Sequence, residues 1–185
     1  MLAGKSIDVK ADLPSELEIV FSCKLQRSAR SLFDAWTKPE HLRQWWGCEG
    51  SQITHCAIDL RVGGSWSLVM RMEDGTDHPF HGMYRSIERP HRLVYTECYD
   101  MPQFGRPEWL TTVTFDELEG TTLLTHNIRH KSQAVRDAHL QAGMQEGTVQ
   151  TLTRLFLHTA AMEATPERIS PLHPELQSIT HTERI

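Results

Sequence analysis

The sequence predicts an α+β fold in which a curved antiparallel sheet of seven strands wraps around one long C-terminal helix, with two short helices after the first strand. Three observations lead there. Apolar and polar residues alternate over 16–25 and again, punctuated by turn signals, through about eighty residues from Ser51, which is the period of strands with one wet face. Two short stretches of helical period, near 28–36 and 39–46, separate those regions. From Ser132 to Glu163 the chain then runs without proline, placing Leu140, Met144, Thr148, Leu152, Leu155 and Met162 close to a 3.6-residue repeat.

The elements follow in chain order. Residues 1–15 form a polar N-terminal extension, and the strand over 16–25 puts Leu17, Ile19, Phe21, Cys23 and Leu25 on one side. Ser28 caps a helix with Ala29, Leu32, Phe33 and Trp36 on one face, which stops ahead of Pro39 because the residue before a proline avoids the helical region. Pro39 and Glu40 suit the first turn of a second helix, which Gly47 ends. Turns at Gly63-Gly64, Asp74-Gly75, Arg89-Pro90 and Glu119-Gly120 divide the meander into strands near 51–60, 65–73, 78–88, 91–99, 109–117 and 121–129. The stretch from Asp100 to Pro107 is its longest loop. Ser132 caps the long helix, which at 1.5 Å per residue reaches up to ~45 Å. Gly143 and Gly147 flank its buried stripe where a side chain would hold a neighbour away, so the sheet is expected to come close there. The tail 164–185, with three prolines and no sustained period, is expected to be draped over the surface or poorly ordered. The final helix is the one element long enough to cover the apolar face of the sheet. A strongly curved sheet with strands ~30 Å long cannot touch a straight helix everywhere, so a cavity between them is expected.

With 185 residues, 39% hydrophobic and 23% charged, one globular domain over 16–163 is the natural division. A net charge of −5 without any Lys/Arg cluster argues against nucleic acid or an anionic membrane surface as partner, and leaves small neutral or cationic ligands open. No segment approaches about 18 consecutive apolar residues, and the N-terminus lacks the apolar core of a signal peptide, so no membrane span and a cytoplasmic location are expected. Cys23, Cys48, Cys56 and Cys98 form no CxxC pair and are expected to be free thiols.

Several stretches are distinctive: TKPEHLRQWWG over 37–47, DLRVGGSW over 59–66, GMYRSI over 82–87, RLVYT over 92–96 and TVTF over 112–115. They resemble the START-like SRPBCC superfamily, and within it the branch named for the C-terminal domain of the activator of the 90-kDa heat-shock chaperone ATPase. The resemblance covers about residues 16 to 163. It implies a helix-grip (START/Bet v-like) fold and a scaffold that binds apolar or amphipathic small molecules, in some members carrying out cyclisation, dehydration or hydrolysis. The sequence departs from the branch at Thr148, where a bulky aromatic is usual, and in the tail from 164. The eukaryotic activator engages its chaperone with a separate N-terminal domain as well, so chaperone activation is not expected of these 185 residues. A fold by itself does not select among such functions.

Side chains expected near the cavity divide into apolar walls and polar groups. Trp45 and Trp46 point about 100° apart on a helix, so at most one anchors the core while the other lines the opening or the surface. Trp66, Leu68, Met70 and Met72 share one strand face, suiting either a core or a greasy pocket. His126, between Leu124 and Ile128, is the best single candidate for a polar group inside. Glu97 shares a side with Leu93, Tyr95 and Tyr99. Facing inward, its carboxyl would have a raised pKa and serve as a general base or an anchor for an amine or hydroxyl; facing outward, it is a solvated charge. Arg71 could pair with it from a neighbouring strand. His126 and His130 share a face, but no HExxH or His-plus-carboxylate cluster appears, and no metal or other cofactor is expected. Nucleophile elbows, phosphate loops and dinucleotide fingerprints are missing too.

The leading expectation is a binder of a small hydrophobic or amphipathic molecule through Trp45, Trp66, Met70, Tyr95, Glu97, His126, Met144 and Thr148. One alternative is an enzyme of the cyclase, dehydratase or hydrolase kind with His126 and Glu97 as an acid/base pair, which requires both in one pocket. Another is a chaperone-interaction module acting through its surface. A homodimer stays open.

Overall fold

In the computed structural model, which describes residues 7–164, the domain is one antiparallel sheet accompanied by four α-helices. The strands are β1 (Lys10–Asp12), β2 (Glu18–Leu25), β3 (Gln52–Ile58), β4 (Ser65–Arg71), β5 (Asp77–Glu88), β6 (Arg92–Tyr99), β7 (Glu108–Leu118) and β8 (Thr121–Arg129). Their spatial order is β1-β2-β8-β7-β6-β5-β4-β3. The meander from β3 to β8 therefore pairs each strand with its successor, and β8 closes back on β2. The sheet has eight strands instead of seven, because Lys10–Asp12, within the expected extension, pairs with β2 and sets Ala11 opposite Phe21. All three β1 residues are exposed, so they offer no alternation to read.

Helix α1 (Ala29–Thr37) starts where the Ser28 hydroxyl accepts the Ser31 N–H at 3.1 Å, and it buries Leu32, Phe33 and Trp36. Lys38 is extended, as the following proline requires, and α2 (Pro39–Trp45) begins on Pro39. The expected single helix over 132–163 is two helices. Capped by Ser132, α3 (Gln133–Gln141) ends at Ala142, and α4 (Met144–Ala164) starts after Gly143, whose φ of +81° is open to a residue without a Cβ. The expected close approach of the sheet at these glycines is also corrected. Gly143 makes the break, and a Cβ on Gly147 would meet nothing within 4 Å.

Leu152, Leu155 and Thr159 of α4 are buried, and the helix packs on α1 and α2. The Thr151 hydroxyl donates to the Gly47 carbonyl at 3.1 Å, and the Arg154 guanidinium donates to the Gly47 and Cys48 carbonyls at 3.0 and 2.7 Å. These bonds tie α4 to the turn that follows α2. Since α1 also packs on β7 and α2 on β3, the two short helices take up space between sheet and α4. The fully buried residues Phe21, Phe33, Trp45, Phe115 and Leu155 mark the centre of the core. The tail from 165 on, and residues 1–6, lie outside the described residues. Among the described residues, no helix is long and apolar enough to cross a membrane.

Candidate functional site

A small cleft opens between the meander and the two short helices, not between the sheet and α4. Its volume is about 20 Å³, room for one water-sized group. One wall comes from Trp36 of α1 with Leu42 and Trp46 of α2, and β3 contributes Cys56 and Ile58. The sheet supplies Trp66, Leu68, Tyr84, Tyr95 and Glu97.

Strand register explains why these side chains meet. Ile58 stands opposite Trp66, Trp66 opposite Gly82, and Glu97 opposite Trp109, which sets Ile58, Trp66, Glu97 and Trp109 in one row across the concave face with a gap at Gly82. Tyr84 pairs with Tyr95 in the next row, their rings 5.9 Å apart. The Trp66 ring leans across the gap, donating its indole N–H to the Thr96 carbonyl at 3.2 Å and meeting Tyr95 edge-on at 5.6 Å. From above, the Trp36 indole donates to the Tyr95 hydroxyl at 3.1 Å.

Glu97 is the acidic group of this apolar enclosure, 9% exposed. Burial pushes its carboxyl up to about 7, against hydrogen bonds from Thr111 (3.3 Å to Oε2) and Trp109 that favour the charged form. A carboxyl balanced between its two states in a cleft is a common property of functional sites. The Tyr95 phenol is raised well above its ordinary value, by burial first and by Glu97 second. The expected Arg71 partner is corrected: Arg71 donates to Asp77 at 2.7 and 2.8 Å.

Of the residues expected to hold a ligand, Trp66, Tyr95 and Glu97 come together here. Trp45 is instead fully buried, its indole N–H on the Ala35 carbonyl at 2.9 Å, and its neighbour Trp46 lines the cleft. Trp46 meets Phe80 at 4.9 Å, Phe80 stacks with Tyr99 at 4.9 Å, and Tyr99 stacks with Phe104 at 5.7 Å, so an aromatic row leads from the cleft to the surface. Met70 sits under Gly47, its sulfur 2.9 Å from where a Cβ there would lie, and Met144 and Thr148 are half-buried on α4. None of these three lines the cleft. Trp36, Tyr84, Trp109 and Thr111 were not among the expected residues. Continuing the inward alternation of β5 and β7 identifies the last three, and the apolar face of α1 identifies Trp36.

His126 faces inward but elsewhere. Its ring lies 5.6 Å from Trp36 and 6.4 Å from Phe21, and neither nitrogen has a hydrogen-bond partner. Burial holds it at about 4. It stands opposite Val113, and Val113 opposite Leu93, so Glu97 is two strands over and about 13 Å further along. No hydrogen bond or single water spans that distance, and the acid/base pair required by the enzyme reading is not formed. An imidazole pair links α3 to the end of β8, with His130 Nε2 and His139 Nδ1 2.9 Å apart and the Trp109 ring tilted against His139 at 4.5 Å. Among the described residues, no three His, Cys, Asp or Glu side chains converge where they could hold a metal ion.

Together these features describe an α+β helix-grip protein with an inward aromatic cleft carrying one buried acid. The sequence model described as "Activator of Hsp90 ATPase homolog 1-like protein" matches residues 26–157, more than half of the chain, and the chain belongs to that family. Among curated proteins none matches it in sequence. Solved structures share the fold. A Nitrosomonas europaea protein is 24% identical, covering 83% of this chain and 100% of its own, with a TM-score of 0.74. An AHSA1-like protein from Aeromonas hydrophila is 22% identical (80% and 96% covered, TM-score 0.60). The AHSA1 protein of Silicibacter pomeroyi is 20% identical (78% and 99% covered, TM-score 0.65).

Proposed function

We propose that the domain binds a small amphipathic molecule whose polar end enters the cleft at Glu97 and whose apolar body follows Trp46 and Phe80 outward. The observation that carries this reading is Glu97 itself. A carboxyl taken out of water costs stability unless something offsets it, and among apolar neighbours it gives a ligand orientation and selectivity. The cleft volume suits a polar head and not a whole ligand, and the half-buried rings of Trp46, Phe80 and Tyr99 offer the body a path toward the exposed Phe104.

The test is tryptophan fluorescence, since Trp36, Trp46 and Trp66 all line the cleft. Titration with 1-hexanol or n-hexylammonium chloride is expected to give saturable, single-site changes. Cys56→Phe, which fills the cleft from the edge strand β3, should weaken them at least tenfold while the protein stays folded. Absence of saturable binding by either probe, or binding unaffected by Cys56→Phe, would rule the reading out.

A further inference from the structure

We infer that the polar end of the ligand is an organic cation, a protonated amine held between the Glu97 carboxylate and the surrounding aromatic rings. This rests on the proposed function and adds the charge of what is bound. Besides aliphatic side chains, Cys56 and Ser67, the wall carries the indoles of Trp36, Trp46 and Trp66, the phenols of Tyr84 and Tyr95 and one acid, and no Lys, Arg or His side chain lines it. Ring faces carry negative potential and attract a cation most strongly where water is displaced.

The direction of the hydrogen bonds points the same way. The Trp36 N–H is taken by the Tyr95 hydroxyl and the Trp66 N–H by the Thr96 carbonyl, so neither indole donates into the cleft. The Glu97 carboxylate, holding hydrogen bonds from Thr111 and Trp109, keeps acceptor capacity to spare, which suits a group rich in donors. An ammonium head brings N–H donors and no acceptor, and its size suits a space of about 20 Å³. A carboxylate ligand would meet Glu97 with like charge, and a hydroxyl would leave the ring faces without an electrostatic partner.

Binding then carries a proton with it. With its carboxyl up at about 7, Glu97 is largely protonated at pH 6; a protonated amine entering there requires the carboxylate, so one proton leaves to solvent and no other bond changes. The neighbours do not compete for it. Tyr95 on the same strand, Tyr84 from β5 and Cys56 from β3 are all pushed up by burial and stay neutral. Arg43 of α2 donates to the Cys56 carbonyl at 2.9 Å, with Glu40 of the same helix as an opposing charge near Cys56. Beyond Trp109, burial holds His130 and His139 below their ordinary range.

Tryptophan fluorescence titrations with n-hexylammonium chloride, 1-hexanol and sodium hexanoate test this. At pH 8 hexylammonium is expected to bind at least tenfold more tightly than hexanol, with hexanoate weakest. From pH 6 to pH 8 its affinity should rise about tenfold, the change in the ionised fraction of an acid with a pKa near 7. Glu97→Gln should collapse the hexylammonium-to-hexanol ratio toward one, and Trp46→Leu, at a half-exposed position, should reduce it several-fold. Hexanol binding as tightly as hexylammonium, or hexanoate binding best, overturns the cation and leaves the proposed function standing. Failure of all three probes to bind overturns both.

Discussion

The Trp66 indole reaches the Thr96 carbonyl at 3.2 Å by crossing the intervening strand at Gly82. A Cβ at residue 82 would fall on that carbonyl and lie 2.7 Å from the indole nitrogen. The glycine is there for space and not for a turn. It lets a large ring lie across β5 and become the wall beside Glu97, so one missing side chain in the sheet positions the cleft.

Gly82→Ala is therefore expected to destabilise the domain by about 3 kcal/mol, at the upper end of overpacking penalties because the obstacle is backbone. The near-UV circular dichroism of the tryptophans should change as Trp66 is displaced. An unchanged denaturant midpoint would mean that the strands part freely at this point.

Glu97 sets a pH dependence of stability. Its folded value, about 7, lies above the ordinary 4.5 of a solvated glutamate, so between those values the folded state binds more protons than the unfolded one. Its contribution is complete below about pH 4.5 and is lost as the pH rises to and through about 7, a change of about 3 kcal/mol. Glu97→Gln, which cannot ionise, should gain on the unmodified protein by about that amount between pH 4.5 and pH 8 in urea titrations. A constant difference across that range would show that Glu97 is solvated.

For His126 the sign is opposite. Burial lowers it from 6.5 to about 4, so its contribution is present above pH 6.5 and is lost as the pH falls through about 4. His126→Leu removes two buried nitrogens without partners and should stabilise the protein by about 1–2 kcal/mol at pH 7. That gain should grow by about 3 kcal/mol as the pH is lowered from 6.5 to 4. A loss of stability at pH 7 would show that the imidazole has a bonding role.

Leu155 on α4 is fully buried, and Leu155→Asp would place a carboxylate in the core. Thermal unfolding should show a loss of about 4 kcal/mol or more, or no folded protein. An unchanged midpoint would mean that α4 presents another face.

Strands such as β2, β7 and β8 were legible because each keeps one wetter face, so alternation marks both their extent and their inner side. Other features were not. The strand β1 is short and exposed throughout and has no period. The break between α3 and α4 falls at a glycine that also fits a packed helix stripe, and only its positive φ separates the two readings. The side on which Glu97 lies could not be read because β6 is buried on both faces, with Leu93 and Tyr95 on one and Val94 and Cys98 on the other. The cleft itself depends on where α1 and α2 settle on the sheet. For the same reason the choice between Trp45 and Trp46 needed the structure: both sit at the end of α2, and one carbonyl, that of Ala35, decides which indole turns inward.

The most direct measurement is carbon-13 NMR of the Glu97 side-chain carboxyl, assigned by its disappearance in Glu97→Gln and followed against pH with and without n-hexylammonium. A buried, ligand-binding acid should titrate near 7 in the free protein and below about 5 when the amine is bound, as a neighbouring positive charge favours the carboxylate. Titration near 4.5, unmoved by the amine, would contradict the account by showing Glu97 to be an ordinary solvated carboxylate.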